Sequence, residues 1–588
     1  MIALLRLFRF LRGSVNSLTV SFILLLASIG LSLASPWLIG HAIDNGIKAG
    51  NAHLVVRDAA GIIITAILAA VLNLASNYSL IKASQLMGYD MRNALYRKVM
   101  SFSFSNLDRW RTGELMVRLN SDVNTIRMFV RMGMFMIVQA VIMIGGTVIA
   151  MYLTDPGLAH IMAIFMPLTL ILFFGVAILI RPLFMKQRVA LDELNNTLQE
   201  NLAGAKIVRA FARQGQEKSK FALRNKNLYD VSLNVGYKLA LFFPLFLLIF
   251  QVATLIVLWS GGATLVGVAE ARVVGSLTLG KLIAFNNYAT MAMFPLMMLG
   301  MVLNFITMAM ASAIRLEALL QEKPGIEEKP NARSLPAVRG KIEFRNVSFR
   351  YGQGERALNN INLTIQPGEK LGIIGTTGAG KSSLVNLISR FYDPEEGDVL
   401  VDDVNVRDLF FDTLRTRISV VLQETVLFSG TLRDNVAFSA PSATQADLER
   451  AAGIACALEF IDDKPDGWDA SVGERGAGLS GGQRQRIAIA RAIAAAPDVI
   501  VLDDVTSSLD ATTERLIVEG LYREFKDRTA IIISQKINTI RSADRIVVME
   551  DGRIIAEGSH DALLKSDETY RTIFETQSGN SAYGRISA

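Results

Sequence analysis

The segment Gly375-Thr376-Thr377-Gly378-Ala379-Gly380-Lys381-Ser382 fits the pattern G-x-x-x-x-G-K-[ST], with the apolar run Leu371 to Ile374 before it and a helical stretch through Arg390 after it. A strand, a glycine-rich loop and a helix in that order make a cradle for a polyphosphate. The glycines let successive backbone N–H groups turn inward, and the positive end of the helix adds its own attraction for an anion. Lys381 is placed to reach the β- and γ-phosphates, and Ser382 to bind Mg²⁺. Far downstream, Val499-Ile500-Val501-Leu502 runs straight into Asp503. A buried strand ending this way aims its acid at the metal through water, although many strands end in Asp and the run is a weak signal alone.

Two unlike halves must position these groups. From Lys341 onward, short β-branched runs (Ile373-Ile374, Ile418 to Leu422, Val499 to Leu502, Ala530 to Ile533) alternate with helical stretches, the pattern of an α/β domain on a mainly parallel sheet. Before Ile314 the chain holds about six uncharged apolar stretches, near 15–39, 60–80, 132–154, 159–180, 241–264 and 284–310. Each has the roughly 20 residues that a membrane-crossing helix needs. The expected division is a membrane domain over 1–320, a charged and breaker-rich linker over 321–340, and a nucleotide-binding domain over 341–588.

Composition agrees with that division. Hydrophobic residues make up 51% of the 588 and charged residues 19%, below the roughly 25% of an average soluble domain. A net charge of +6, from 60 Lys and Arg against 54 Asp and Glu, is too balanced for a dedicated nucleic-acid binder. The single cysteine, Cys456, excludes an intrachain disulfide and a Cys-based metal cluster.

Basic residues set the orientation. Arg6, Arg9 and Arg12 precede the first span, and the connections 81–131 and 181–240 are rich in Lys and Arg, whereas 40–58, 155–158 and 265–280 carry only Lys48, Arg57 and Arg272. Both termini are therefore expected in the cytoplasm of a cell, or inner, membrane. The two basic connections have helical periodicity, and as hairpins they project on the order of 35–45 Å.

Between the phosphate loop and Asp503 lies Leu479-Ser480-Gly481-Gly482-Gln483. With this segment in place, the chain resembles an ATP-binding cassette (ABC) exporter half-transporter over nearly its whole length. That resemblance implies a membrane α-helical six-span domain fused to an α/β P-loop ATP-binding cassette. Tyr351 matches the aromatic that stacks on adenine, Ser383 continues the nucleotide-binding loop, and Gln423 matches the glutamine that contacts Mg²⁺ and senses the membrane domain. Glu474-Arg475-Gly476 resembles the family's cross-linking loop, and Ser507-Ser508-Leu509-Asp510 its D-loop, with Asp510 the equivalent acid; read alone, Asp510 is equally a helix cap. The signature, with Ser480 at a helix N-terminus, is expected to meet the γ-phosphate of ATP held on another subunit's loop. By the same resemblance, coupling helices lie near Ser105 to Arg111 and Phe211 to Glu217.

Two positions depart from the family. The residue after the Walker-B acid, normally a glutamate that polarises water, is Asp504; the switch residue, normally histidine, is Gln535. Asp is one methylene shorter, and displacing a general base costs on the order of 10²–10⁴-fold in rate. Gln535 can hydrogen-bond a γ-phosphate but cannot become cationic. Both changes fall on the composite site built on this chain's own loop, while its signature is intact. The expected assembly is a heterodimer whose partner half-transporter supplies Glu and His.

No Asp, Glu, Lys or Arg lies near the centre of a span, so no ion-coupling pair is expected. Phe242, Phe246, Gln251, Asn287, Met297 and Met301 are candidates to line a cavity for hydrophobic or amphipathic compounds, since thioethers repack around dissimilar ligands; methionines facing lipid are the alternative. A lipid flippase or peptide exporter is the next reading, and a nucleotide-gated regulator that moves no solute is the reading from another class.

Overall fold

The computed structural model describes residues 2–270 and 277–577. The chain divides into two compact units, one of Met1–Met100 with Thr112–Glu322, the other of Ser101–Arg111 with Lys323–Ala588.

The first unit is helical. Its long helices are α1 (Val15–His41), α2 (Ala52–Met100), α4 (Phe135–Thr154), α5 (Pro156–Ala203), α7 (Gln214–Glu270) and α8 (Leu279–Gln321). Two short ones, α3 (Phe104–Arg109) and α6 (Ala205–Ala210), sit between α2 and α4 and between α5 and α7; α3 belongs to the second unit. Among the described residues, four helical stretches have the length and apolarity to cross a bilayer: Ile2–Ile47, Ala52–Met100, Thr112–Thr154 and Gln214–Gly267. The other two expected spans, 159–180 and 284–310, lie within α5 and α8, which include several side chains outside those described.

With no hydrophobic gain to be had between helices in lipid, small polar residues do the joining. Ser21 and Ser76 exchange hydroxyl-to-carbonyl bonds of 2.9 and 2.8 Å across α1 and α2, and Ser28 Oγ donates to the Ala69 carbonyl at 2.8 Å. Farther along, the buried Asp122 carboxylate accepts from Ser312 Oγ at 2.8 Å and Arg315 Nε at 2.9 Å, fastening the stretch before α4 to α8.

The second unit is built on two larger sheets and also holds a two-stranded ribbon of Gly430–Thr431 with Ser471–Val472. Strands β1 (Ile342–Arg350), β2 (Arg356–Ile365), β4 (Glu396–Val401) and β5 (Val404–Asn405) form an antiparallel sheet in the order β2-β1-β4-β5. The larger sheet holds β3 (Lys370–Gly375), β6 (Ile418–Val421), β7 (Val499–Asp503), β8 (Thr529–Ile533), β9 (Arg545–Glu550) and β10 (Arg553–Gly558), in the order β10-β9-β3-β8-β7-β6. All its pairings are parallel except β9 with β10. Every residue of β3, β7 and β8 is buried, which is why these strands read as continuous apolar runs rather than alternating ones.

The last helix among the described residues, α12 (Glu568–Gln577), is anchored by Tyr570, which is fully buried and shares a 2.7 Å hydrogen bond with His560 Nδ1. Burial pushes the His560 pKa below its ordinary 6.5. The folded chain then refuses a proton that the unfolded chain accepts, so this contribution is complete above about pH 6.5 and is lost as pH falls below it. Thermal unfolding should accordingly show a smaller drop in Tm between pH 7.5 and 5.5 for His560→Gln than for the wild type; parallel curves would remove His560 from the acid sensitivity.

Candidate nucleotide site

The parallel strands deliver their C-terminal ends to one edge of the larger sheet. Ile533 of β8 is in register with Asp503 of β7 and with Ile373 of β3, two residues before Gly375. Val421 of β6 lies beside Leu502, so Gln423 follows on the same edge, exposed. In an open parallel sheet this edge is where ligands bind.

The loop after β3 turns on two glycines held at positive φ, Gly378 at +87° and Gly380 at +91°. A side chain on Gly380 would also place its Cβ 2.5 Å from the Ala357 carbonyl oxygen. Helix α9 (Lys381–Ile388) starts immediately after, with Ala379 and Ser383 buried and Thr376 and Thr377 exposed. Lys381 Nζ donates to the carbonyls of Gly375 and Thr376 at 2.9 and 2.7 Å. Burial lowers the Lys381 pKa, and Asp504 and Asp503 oppose that shift. Tyr351 is 40% exposed and donates through its hydroxyl to Ser383 Oγ at 3.1 Å, leaving an aromatic face beside the loop.

Ser382 Oγ donates to Asp503 Oδ1 at 2.9 Å. This hydroxyl and carboxylate are hard oxygen donors of the kind Mg²⁺ takes alongside phosphate oxygens. Asp504 follows with φ at +49°, its backbone N–H bonded to the Ile533 carbonyl at 3.0 Å. Its Oδ2 accepts from Gln535 Nε2 at 3.0 Å. Burial raises the pKa of both Asp503 and Asp504 above the usual carboxylate range; Ser382 and Gln535 pull the respective values back.

Ser480 caps the helix α10 (Gly481–Ala494): its Oγ accepts from Gln483 N at 3.3 Å while its own N–H donates to Gln483 Oε1 at 3.0 Å. This reciprocal capping fixes the start of the signature helix. Leu479 is buried beneath it. Gln485 donates to Ser508 Oγ at 3.3 Å and accepts from Ser508 N at 3.3 Å, tying that helix to the loop after Asp504. Asp510 caps the next helix, α11 (Ala511–Glu524), accepting from Thr513 N at 3.0 Å. Within the single chain its carboxylate is a cap.

A buried carboxylate that sequence reasoning missed links these loops. Glu514, 5% exposed, accepts from Thr506 Oγ1 at 2.6 Å, from Thr539 Oγ1 and from Lys536 Nζ at 2.9 Å. Its signal was its phase: Ile517, Val518 and Leu521 follow at i+3, i+4 and i+7, so Glu514 lies on the buried face of α11. Truncating Glu514 to Ala leaves the hydroxyls of Thr506 and Thr539 without their acceptor, while the half-exposed Lys536 ammonium turns to water, and should cost about 2 kcal/mol. A Tm lowered by less than a degree or two would mean the network is dispensable.

The short helix α3 is fixed within the second unit. Phe104 stacks on Phe391 with centroids 4.3 Å apart, Tyr392 donates to Asp108 Oδ2 at 2.7 Å, and Asn106 Nδ2 donates to the Lys323 carbonyl at 2.9 Å. The second tip is different. Helix α6 lies just ahead of the expected 211–217 and buries none of its residues; Ile207 on it and Phe211 just after it are exposed by 65% and 73%.

Of the candidates for a substrate cavity, Asn287 lines one of about 560 Å³ among α1, α2 and α8, with Ser28, Ser32, Ser35, Asn73 and Thr290. Among the described residues its lining carries no charged group. Phe242, Phe246 and Gln251 lie on α7 and do not line it; Phe246 is buried and Gln251 exposed. The side chains of Met297 and Met301 lie outside the described residues.

A polyphosphate cradle of this geometry, in one chain with membrane-length helices, defines a membrane transport ATPase. A family described as the ABC transporter transmembrane region matches residues 18–310, and one described as ABC transporter matches residues 358–507. The uncharacterized ABC transporter ATP-binding protein YknV of Bacillus subtilis is 33% identical, with 95% of this chain and 92% of that protein covered. An ATP-dependent lipid A-core flippase of Desulfotalea psychrophila is 35% identical, with 83% of this chain and 84% of that protein covered. The structure of a bacterial Atm1-family ABC exporter with ATP bound superposes with a TM-score of 0.77 at 26% identity, covering 98% of this chain and 99% of that one. The chain belongs to the ABC transporters: a membrane helical domain fused to an ABC ATPase domain, hydrolysing ATP to drive transport.

Proposed function

We propose that this chain is one half of a heterodimeric exporter of hydrophobic or amphipathic molecules. In the competent site, the partner's phosphate loop meets this chain's Leu479 to Gln483 signature. This chain's own loop, with Lys381, Ser382, Asp503 and Gln423 arranged for ATP and Mg²⁺, hydrolyses slowly. The membrane domain spans 1–320, the linker 321–340 and the nucleotide-binding domain 341–588, with both termini and the cassette in the cytoplasm.

One observation carries the reading: Asp504 is held to Gln535, both short of the family's glutamate and histidine, while the Ser480 cap is complete. The hydroxyl- and amide-lined cavity around Asn287 suits an uncharged polar head with an apolar tail, and relatives named as lipid A-core flippases favour a lipid as the second substrate reading.

The test is ATPase activity of the purified chain in nanodiscs, alone and with its co-expressed partner. Near-background turnover alone, rising with the partner, is expected; brisk turnover by the chain alone overturns the heterodimer. Inverted vesicles should then take up a fluorescent lipid or amphiphile when ATP is supplied. ATP-dependent conformational change with no uptake would favour the nucleotide-gated regulator.

A further inference from the structure

The switch segment is held from a direction that the phosphate chemistry does not use. Gln577, on the last turn of α12, presents its carboxamide edge-on to the backbone of residues 535–537. Its Nε2 donates to the Gln535 carbonyl at 2.6 Å, and its Oε1 accepts from Ile537 N at 2.9 Å. A primary amide has one donor edge and one acceptor edge, and here both engage the same short strip of main chain. Gln577 also lines a cavity of about 540 Å³ together with Asp504, Ser507, Gln535, Lys536 and Asn538.

The clip is mounted on a fixed support. Tyr570 is fully buried, its N–H donates to Asp567 Oδ1 at 2.6 Å, and Ile573 and Phe574 pack against the cassette core. From the other side, Lys536 N donates to Ser534 Oγ at 3.0 Å and Lys536 Nζ to Glu514 Oε2 at 2.9 Å. The main chain at Gln535 is therefore gripped twice, and its side chain is left to reach Asp504 Oδ2 at 3.0 Å. A side chain is placed reproducibly only when its backbone is fixed by a supporting shell.

We propose that Gln577 is a positioning residue for Gln535, so that α12 sets how strongly this chain's Walker site distinguishes ATP from ADP. The proposal rests on the reading of Gln535 as the switch residue that meets the γ-phosphate. Gln577 acts through the carbonyl of Gln535 and the N–H of Ile537.

The experiment measures binding of radiolabelled ATP and ADP, each with Mg²⁺, to the full-length chain in nanodiscs. Gln577→Met keeps the length of the side chain and removes both hydrogen bonds; it should lower the ATP-over-ADP preference about three- to tenfold, the worth of one or two lost hydrogen bonds. ADP affinity and Tm should stay near wild type, because ADP lacks the γ-phosphate that Gln535 is read to meet and Gln577 itself is exposed. Gln577→Glu keeps the acceptor for Ile537 N and should fall between the two. An unchanged preference in Gln577→Met, or equal weakening of both nucleotides with a lowered Tm, overturns the proposal. Gln535→Ala separates the two layers. A reduced preference there with none in Gln577→Met defeats the clip alone, whereas no change in either defeats the switch reading and the clip with it.

Discussion

Replacing Asp504 by Glu raises single-turnover ATP hydrolysis at this chain's own Walker site by about 10²-fold, the lower range of what a well-placed general base contributes. The gain comes from reach. Asp504 leaves β7 at φ +49° with its N–H fixed to the Ile533 carbonyl, so its backbone cannot advance to compensate for the shorter side chain. Its carboxylate is occupied by the Gln535 amide. One more methylene carries the carboxylate past that contact toward a water in line with the γ-phosphate. Left-handed backbone is tolerated better by Asp than by Glu, so the variant gives up some stability, on the order of 1 kcal/mol or less. Burial raises the Asp504 pKa, which places the acid limb of its residual activity above the ordinary carboxylate range, and activity falls as pH drops through it. Adding Gln535→His should increase the rate again, because a histidine can take up charge beside the phosphate. A single-turnover rate in Asp504→Glu equal to wild type would show that the slow step lies elsewhere, and the degenerate-site reading would fall.

What the sequence made legible follows from how local each feature is. The phosphate loop is a contiguous run whose function depends on backbone φ at Gly378 and Gly380 and on the helix that follows, so pattern alone located it. Ser480 with Gln483 three residues on is a capping-box pattern, equally local. Features that join distant segments were not legible. Glu514 serves Thr506, Lys536 and Thr539, and Gln577 serves Gln535 and Ile537; only the folded sheet edge brings these together. Segment Ser101–Arg111 is an intermediate case: the family resemblance places a coupling helix near Ser105 to Arg111, whereas composition assigns it to the membrane half. In the fold it belongs with the cassette, where Phe104 stacks on Phe391. In the membrane half, apolar length revealed spans but not faces. Ser28, Ser32 and Ser35 pass as neutral members of an apolar run, yet they share a cavity with Asn287, whereas the expected partners on α7 do not.

The assembly itself makes the sharpest demand, because two substitutions in one chain should have very unequal consequences. Gly481→Asp is expected to cut the ATPase of the partnered complex about 10²-fold or more, the scale of losing one oriented electrostatic contact to a transferring phosphoryl group. The fold should survive it. A Cβ at Gly481 meets nothing closer than 3.7 Å, at Ser508 Cβ, and an acid at the first position of α10 suits the helix N-terminus. What changes is the charge presented across the interface, a carboxylate where a γ-phosphate must approach. Lys381→Met removes the ammonium that serves this chain's own loop, the site already lacking its glutamate and histidine, and should lower the complex's ATPase by less than about threefold while abolishing ATP retention there. If the pump were instead symmetric, each composite site would borrow one copy of each residue and both variants would fail together. Steady-state ATPase of the two variants, with Tm as the control for folding, separates these cases. Equal losses would require two equivalent sites, and Asp504 would then have to be a working base at its present length.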